Sequence, residues 1–233
     1  NGAHTANAFA GEDIRCVIDL GDEMYAEHGL ETGMNYELLS RFAEDNRCNI
    51  SILTPSKGEN YIDSLKQGKV DIVIAHAHDL GEHKDSVEVS RMMNSCSAWI
   101  VSKESDARLR QINMWISYMA GSPEYLSIER RYSTYGNPVR KAENGVVSRT
   151  ISPYDDLLKK YASELGWDWR MLAAVVYQES KFSINSRSHR GASGLMQVMP
   201  STADYYGIDD LLNPEKNLKA GTSHLNRLQR MFD

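Results

Sequence analysis

The sequence predicts two domains of different class. An α/β domain built as a single lobe on a parallel β-α-β sheet covers residues 12–132, and an all-α domain covers 152–233, with a connector at 133–151. Three observations carry that reading. Short β-type runs alternate with helical spacings in the first half, the order of a parallel sheet with right-handed crossovers. From Ser152 onward the apolar residues recur at helical spacing behind recognisable caps. The charge is split as well. Residues 1–150 hold sixteen basic and 22 acidic side chains and residues 151–233 hold ten of each, so the whole net charge of −6 lies in the first part.

With 233 residues, 41% apolar and 25% charged, the chain has the composition of a soluble globular protein of one large or two small domains. No apolar run reaches the length that spans a bilayer. No basic stripe with interleaved aromatics is present, so a nucleic-acid partner is not expected. Asn1 to Gly11 is polar and Ala-rich and lacks the regions of a signal peptide. It reads as a tail left by processing or cloning. Cys16, Cys48 and Cys96 are far apart and odd in number, which argues for buried thiols over a zinc site or disulfide framework. A Cys16–Cys48 pair stays open if the two lie on neighbouring strands.

Taken in order, Ile14–Leu20 is a strand ended by Gly21 and Asp22. Met34–Arg47 is a helix, with Leu38, Leu39, Phe42 and Ala43 on one side. Asn49–Leu53 is a strand stopped by Thr54 and Pro55. Asn60–Gln67 is a short helix with Gly68 at its end. Val70–Ala75 is almost wholly apolar, as in a strand covered on both faces. Val87–Arg91 and Ala98–Val101 are two more strands. Asp106–Ala120 is a helix with Leu109, Ile112, Trp115, Ile116 and Met119 inward, and Pro123 starts another through Tyr132. His76, His78 and His83 are candidate metal ligands by residue type. No acidic or cysteine partner has ligand spacing, so a polar strand-end loop is the better reading, and no metal or cofactor is expected.

Ser133 to Thr150 shows no apolar periodicity and carries Gly136, Pro138 and Gly145, the marks of a connector. Ser152 and Pro153 then suit a helix N-cap and first turn. Leu157, Leu158, Tyr161, Ala162 and Leu165 form its buried stripe, and Gly166 ends it. Asp168 caps the next helix. There Leu172, Val175, Val176 and Glu179 fall at i, i+3, i+4 and i+7, which puts Glu179 on the apolar face. Withdrawal from water and the negative helix end both favour the neutral acid there, the form a general acid needs. A structural glutamate bonded to loop amides is the plainer reading of Glu179 alone. Pro200 starts a short helix through Tyr205. Asn213-Pro214 starts the last one, with Leu218, Gly221, Leu225 and Leu228 inward.

Two resemblances bear on function. The pieces Ile62–Ala75, Val87–Arg91 and Ala98–Lys103 resemble the periplasmic solute-binding domains that accompany transporters. Those have two lobes. Here the chain passes from Ser90–Asn94 almost directly to Ser97, which omits roughly a hundred residues, about one small lobe. A lone lobe cannot close on a small ligand, so no ligand-binding residue is carried over.

In the second domain, Glu179-Ser180, Ser188, Gly191-Ala192 and Gly194-Leu195-Met196-Gln197-Val198-Met199-Pro200, with Ala220-Gly221-Thr222 and Leu225, resemble the soluble-type (family 1) lytic transglycosylases. Those share a lysozyme-like helical fold. The resemblance implies cleavage of the MurNAc–GlcNAc bond of peptidoglycan glycan strands with 1,6-anhydro-MurNAc formed. Glu179 would be the single acid/base, so Asp204, Asp209 and Asp210 are not needed as a second acid. It implies Ser188 beside the sugar and Gly194, Leu195, Met196, Gln197 and Met199 along the groove. The family's third motif, Ala-Tyr-Asn, lies beyond the point where this sequence stops, so the catalytic domain is expected to be incomplete at its C-terminus. A lysozyme-type hydrolase and a catalytically incomplete cell-wall-binding module are the rival readings. The domain order resembles membrane-anchored members of the family. That implies the periplasmic side of the cell envelope, a lipid anchor upstream of the chain, and a regulatory first domain with a muropeptide or other small ligand.

Overall fold

The computed structural model describes residues 7–20, 26–53, 58–92, 97–133 and 150–232. The chain divides into two compact units, residues 1–21 with 34–128 and residues 22–33 with 129–233. The connector expected at 133–151 lies almost wholly outside the described residues.

The first unit is built on a five-stranded sheet. In chain order the elements up to the connector are β1 (Asp13–Asp19), α1 (Ala26–Asn46), β2 (Asn49–Leu53), α2 (Tyr61–Lys66), β3 (Ile72–His76), β4 (Val87–Val89), β5 (Ser97–Ser102), α3 (Asp106–Met119) and α4 (Pro123–Ser133), of which residues 26–33 and 129–133 count with the second unit. A 3-10 segment, Ala77–Ser86, links β3 to β4. The strand order is β2-β1-β3-β5-β4. β1 pairs parallel with both β2 and β3, as expected. β5 departs from the all-parallel reading: it runs antiparallel to β3 and to β4. Val87 to Val101 was too short to reveal strand direction, because a parallel pair and an antiparallel pair share the same period of two.

Register sorts the side chains by face. Val17, Val73 and Ile100 lie in one row across β1, β3 and β5, and Ile18, Ile74 and Trp99 lie in the next. The first row packs with Tyr61, Leu65, Val70, Leu80 and Val87. On the other face Phe42 of α1 meets Trp99 and Trp115 edge to face, with ring centroids 5.3 and 5.2 Å apart. Such pairs add about 0.5–1.5 kcal/mol each beyond the area they bury. All five residues of β3 are buried, which explains its unbroken apolar run. Helix α1 begins earlier than its apolar spacing indicated, since the turns before Met34 carry no stripe.

Cys16 is buried and both it and Cys48 are free thiols. The strands are neighbours, but Cys16 faces Ile52 and Cys48 precedes β2. A four-residue offset is about 13 Å along a strand, too far for a disulfide. Burial pushes both thiols up. Cys96 lies outside the described residues. His76 Nδ1 stands 3.6 Å from Asp79, and His83 lies against Asn60 and Lys66. The His78 side chain is outside the described set.

The second unit holds α5 (Asp155–Leu165), α6 (Trp169–Ser180), α7 (Pro200–Tyr205) and α8 (Pro214–Phe232). α5 packs on both α6 and α8. It begins at Asp155, after the Ser152-Pro153 start the sequence indicated, and a polar turn precedes it. Ser152 Oγ accepts from Tyr154 N at 3.2 Å, while Asp155 accepts from Ser152 N and Ile151 N at 2.8 Å. Leu158, Tyr161, Ala162 and Leu165 are buried as expected, and Gly166 closes the helix in the left-handed region at φ 69°. Lys160 and Tyr161 both donate to Glu215, at 2.6 and 3.3 Å, tying α5 to α8. Burial pushes the Tyr161 phenol up, and the Lys160 hydrogen bond holds Glu215 below the usual carboxylate range.

In α8 the inward face is Asn217, Leu218, Ala220, Gly221 and Thr222. Leu218 and Gly221 were expected. Leu225 is only half-buried and Leu228 is exposed, and the guanidinium of Arg227 between them lies 4.9 Å from the centre of the Tyr205 ring. Among the described residues, no helix is long and apolar enough to cross a membrane.

Candidate active site

Asp168 caps α6 by accepting from Arg170 N at 2.8 Å. The buried face of α6 is Leu172, Ala173, Val176 and Ser180. Glu179 is therefore not on it. At 100° per residue Glu179 lies about 75° from the centre of that face, and its side chain is exposed. This corrects the expectation of a desolvated acid. The Leu172, Val175, Val176, Glu179 spacing is a valid helical stripe, but the packing partner α5 selects a face rotated toward Ala173 and Ser180. Glu179 stands at the margin of the face, in the last turn.

Immediately after Glu179 the chain turns hard. Lys181 and Phe182 both take left-handed backbone angles, φ 53° and 64°. Each costs of order 1–2 kcal/mol for a residue with a side chain. Phe182 becomes 3% exposed, with its ring 5.8 Å from that of Tyr177, and burial of that size returns about 1.5–3 kcal/mol. The Lys181 ammonium lies 4.3 Å from the centre of the Tyr177 ring.

The turn delivers a loop held almost wholly by its own polar groups. Ser193 and Val198 exchange two backbone hydrogen bonds, at 2.9 and 3.0 Å. Gly194 to Gln197 form the closed turn between them, with Gln197 at φ 49°. Ser186 O accepts from Gly194 N and from Gln197 Nε2, both at 2.9 Å. Gln197 Nε2 also donates to Gly194 O at 3.0 Å. From α8, Asn217 reaches into the turn. Its Oδ1 accepts from Met196 N at 2.8 Å, and its Nδ2 donates to Ser193 O and Leu211 O at 2.9 and 2.8 Å.

This arrangement redistributes the residues expected along a groove. Gly194 is buried, and a Cβ there would lie 2.1 Å from Asn217 Nδ2 and 2.4 Å from Leu211 O. Its missing side chain makes room for Asn217, which replaces the expected role of admitting a sugar to the backbone. Leu195 is 0% exposed and belongs to the interior. Met196 packs toward Gly221, where an added Cβ would meet its sulfur, and joins the cluster of Val198, Ala203 and Ala220. Gln197 is half-buried, and Ser188 and Met199 are exposed. Ser188 Oγ accepts from Ala192 N at 3.1 Å. The outward groups are thus Glu179, Ser188, Met199 and the free side of Gln197.

Asn217 was missed from the sequence. A signal existed: it is a polar residue beside Leu218 on the stripe that buries Gly221. Asp209 pairs with Lys216 at 2.6 Å, and Asp210 accepts from Leu212 N and Asn213 N, so both carboxylates serve the loop before α8.

Both parts of the chain are similar to known proteins. Residues 156–233 match the family model described as the Transglycosylase SLT domain. Residues 21–165 match that of bacterial extracellular solute-binding proteins, family 3, over more than half of the chain. The chain belongs to that solute-binding family and carries a transglycosylase SLT domain. Among curated relatives, membrane-bound lytic murein transglycosylase F of Desulfosudis oleivorans is 33% identical over 141 residues, 58% of this chain and 31% of that protein. The protein of the same name from Actinobacillus succinogenes is 29% identical over 176 residues, 70% of this chain and 36% of its own. That from Haemophilus influenzae is 42% identical over 82 residues, 35% of this chain and 17% of its own. The chain thus spans about a third or less of the length of the curated relatives it matches. The 70 kDa soluble lytic transglycosylase from Escherichia coli covers 89% of this chain and 35% of its own at 19% identity, with a TM-score of 0.31.

Proposed function

We propose that the SLT domain acts on peptidoglycan glycan strands as a lytic transglycosylase, with Glu179 as its single acid/base. The observation that carries the reading is the junction of α6 with the Ser186–Val198 loop. A lone carboxylate in the last helical turn is followed by two left-handed residues that bring up a loop pinned by Gln197 and Asn217. Between Trp169 and Ala203, Glu179 is the one acidic residue in the sequence.

In this mechanism the Glu179 carboxyl protonates the oxygen leaving C1 of MurNAc. The carboxylate so formed takes the proton of the MurNAc C6 hydroxyl, whose oxygen closes on C1. The products are a 1,6-anhydro end and a free GlcNAc hydroxyl, and no water is consumed. One carboxylate serves both steps, unlike the paired carboxylates of most glycosidases. The exposed position of Glu179 leaves it accessible to a strand, and desolvation comes with the bound sugar. Ser188, Gln197 and Met199 offer the groove a hydroxyl, an amide and an adaptable apolar surface. Gly194, Leu195 and Met196 act from behind, as the frame of that surface.

The test is product analysis on the full-length protein. Mass spectrometry of digested sacculi should show anhydro-MurNAc ends. Reducing MurNAc ends would assign a hydrolase instead. Binding without any turnover to lose in Glu179→Gln would assign a cell-wall-binding module. The names of the relatives support a place in the cell envelope. The domain order motivates the rest of the proposal, in which the solute-binding domain regulates turnover in response to a muropeptide or other small ligand.

A further inference from the structure

The turn Arg187-Ser188-His189-Arg190 carries charge that the second unit does not answer. Arg187, His189 and Arg190 are exposed, and among the described residues none of these side chains makes a hydrogen bond or ion pair. Three other cations of the same unit are matched, in Lys160–Glu215, Arg170–Asp168 and Lys216–Asp209. Residues 181–190 contain Lys181, Arg187 and Arg190 and no acidic residue.

The backbone beneath these charges is fixed. Ser188 N donates to Ala192 O at 2.9 Å, Gly191 N to Ser188 O at 3.0 Å, and Ala192 N to Ser188 Oγ at 3.1 Å. Arg187 bridges to Ser193, and Ser193 bridges to Val198. The basic turn is therefore held in register with the Gly194–Gln197 turn, and both border the outward groups of the candidate site.

We propose that this turn is a carboxylate-binding rim of the glycan groove, which selects strands bearing carboxylates over neutral strands of the same β-1,4-linked amino sugars. The proposal rests on the glycan-strand reading above. A guanidinium matches a carboxylate with two parallel N–H donors. Two such groups on a stiff turn lose little freedom on engagement. In peptidoglycan the carboxylates come from two sources, the lactyl group of muramic acid and the peptide stems.

The experiment measures binding by the full-length protein in a Glu179→Gln background, which prevents turnover. Three probes are used: peptide-bearing glycan strands, strands freed of peptide by amidase so that the lactyl carboxylates are exposed, and a chito-oligosaccharide of equal length. The expected result is tighter binding of the anionic probes. The Arg187→Gln/Arg190→Gln double variant should lose about three- to tenfold on them, the sum of two exposed ion pairs, with the chito-oligosaccharide unchanged. Arg187→Lys/Arg190→Lys should restore only part of the loss, since an ammonium keeps the charge without the paired donors, and about 1 M salt should erase the difference. A loss confined to one anionic probe identifies the source of the carboxylate. An unchanged affinity for both anionic probes, or an equal loss on all three, overturns the proposal. Wild-type side chains binding all three probes equally overturn it while leaving the glycan reading intact. Binding none of them sinks the glycan reading as well.

Discussion

Asn217 is 0% exposed and its side-chain amide makes three hydrogen bonds, one to the N–H of Met196 and two to carbonyls of Ser193 and Leu211. Asn217→Ala strands the buried Met196 N–H and the Leu211 carbonyl, while Ser193 O keeps its bond from Val198 N, so chemical denaturation should show a loss of about 2–4 kcal/mol. Asn217→Asp keeps the acceptor for Met196 N but turns both donated bonds into repulsions, and should be no milder. Glu179 is different, because it is exposed and no described residue hydrogen-bonds its side chain. Glu179→Gln should leave the unfolding midpoint within experimental error and lower turnover of sacculi by at least about a hundredfold, the usual contribution of a general acid. A fall in stability together with activity would assign Glu179 a structural role. The sequence pointed to Glu179 through its place in a helical stripe, yet four residues at that spacing define two adjacent faces about equally well. Ala173 and Ser180 are on the buried face of a helix that packs on α5, and local spacing alone does not pick that face.

At the scale of elements, the second unit depends on two turns with left-handed residues. Gly194 has φ +77° and no room for a Cβ beside Asn217 Nδ2 and Leu211 O. Gly194→Ala therefore combines backbone strain with displacement of a buried amide. It should cost more than the 1–2 kcal/mol of the conformation alone, read as a shift in the denaturation midpoint. Lys181 caps α6 in the left-handed region, where glycine is the preferred residue. Lys181→Gly should stabilise the helix end by a few tenths to about 1 kcal/mol, with loss of the Lys181–Tyr177 contact as the opposing effect. Most elements were legible: the strand positions in the first unit, the Asp168 cap and the Pro200 and Pro214 starts coincide with local signals, whereas α1 begins at Ala26, ahead of the stripe that starts at Met34. The direction of β5 was not, because strand direction is decided by which neighbour it reaches and leaves no trace in a six-residue apolar run.

At the scale of the whole molecule, two units of different architecture share one chain, and in the first the Asp71 carboxylate contributes a pH dependence to stability. Burial pushes the Asp71 carboxyl up, but hydrogen bonds from Arg15 and Arg108 outweigh it and hold it below its ordinary range. A carboxylate lowered in the folded state stabilises above its unfolded value of about 3.9 and loses that contribution as pH falls through the folded value. Thermal unfolding should therefore show the gap between the wild type and Asp71→Asn narrowing as pH drops below about 4. By itself the sequence determined the two-part organisation, the α/β and all-α classes, and the one acid followed by a Gly-Leu-Met-Gln turn, because spacing, caps and charge are local properties. Only the tertiary structure decided that Gly194 and Leu195 face inward, that Asn217 holds the turn, and that Glu179 lies in water. Those outcomes depend on which surface of α6 meets α5 and on what α8 brings to the loop, and both are settled by contacts between residues distant in the chain.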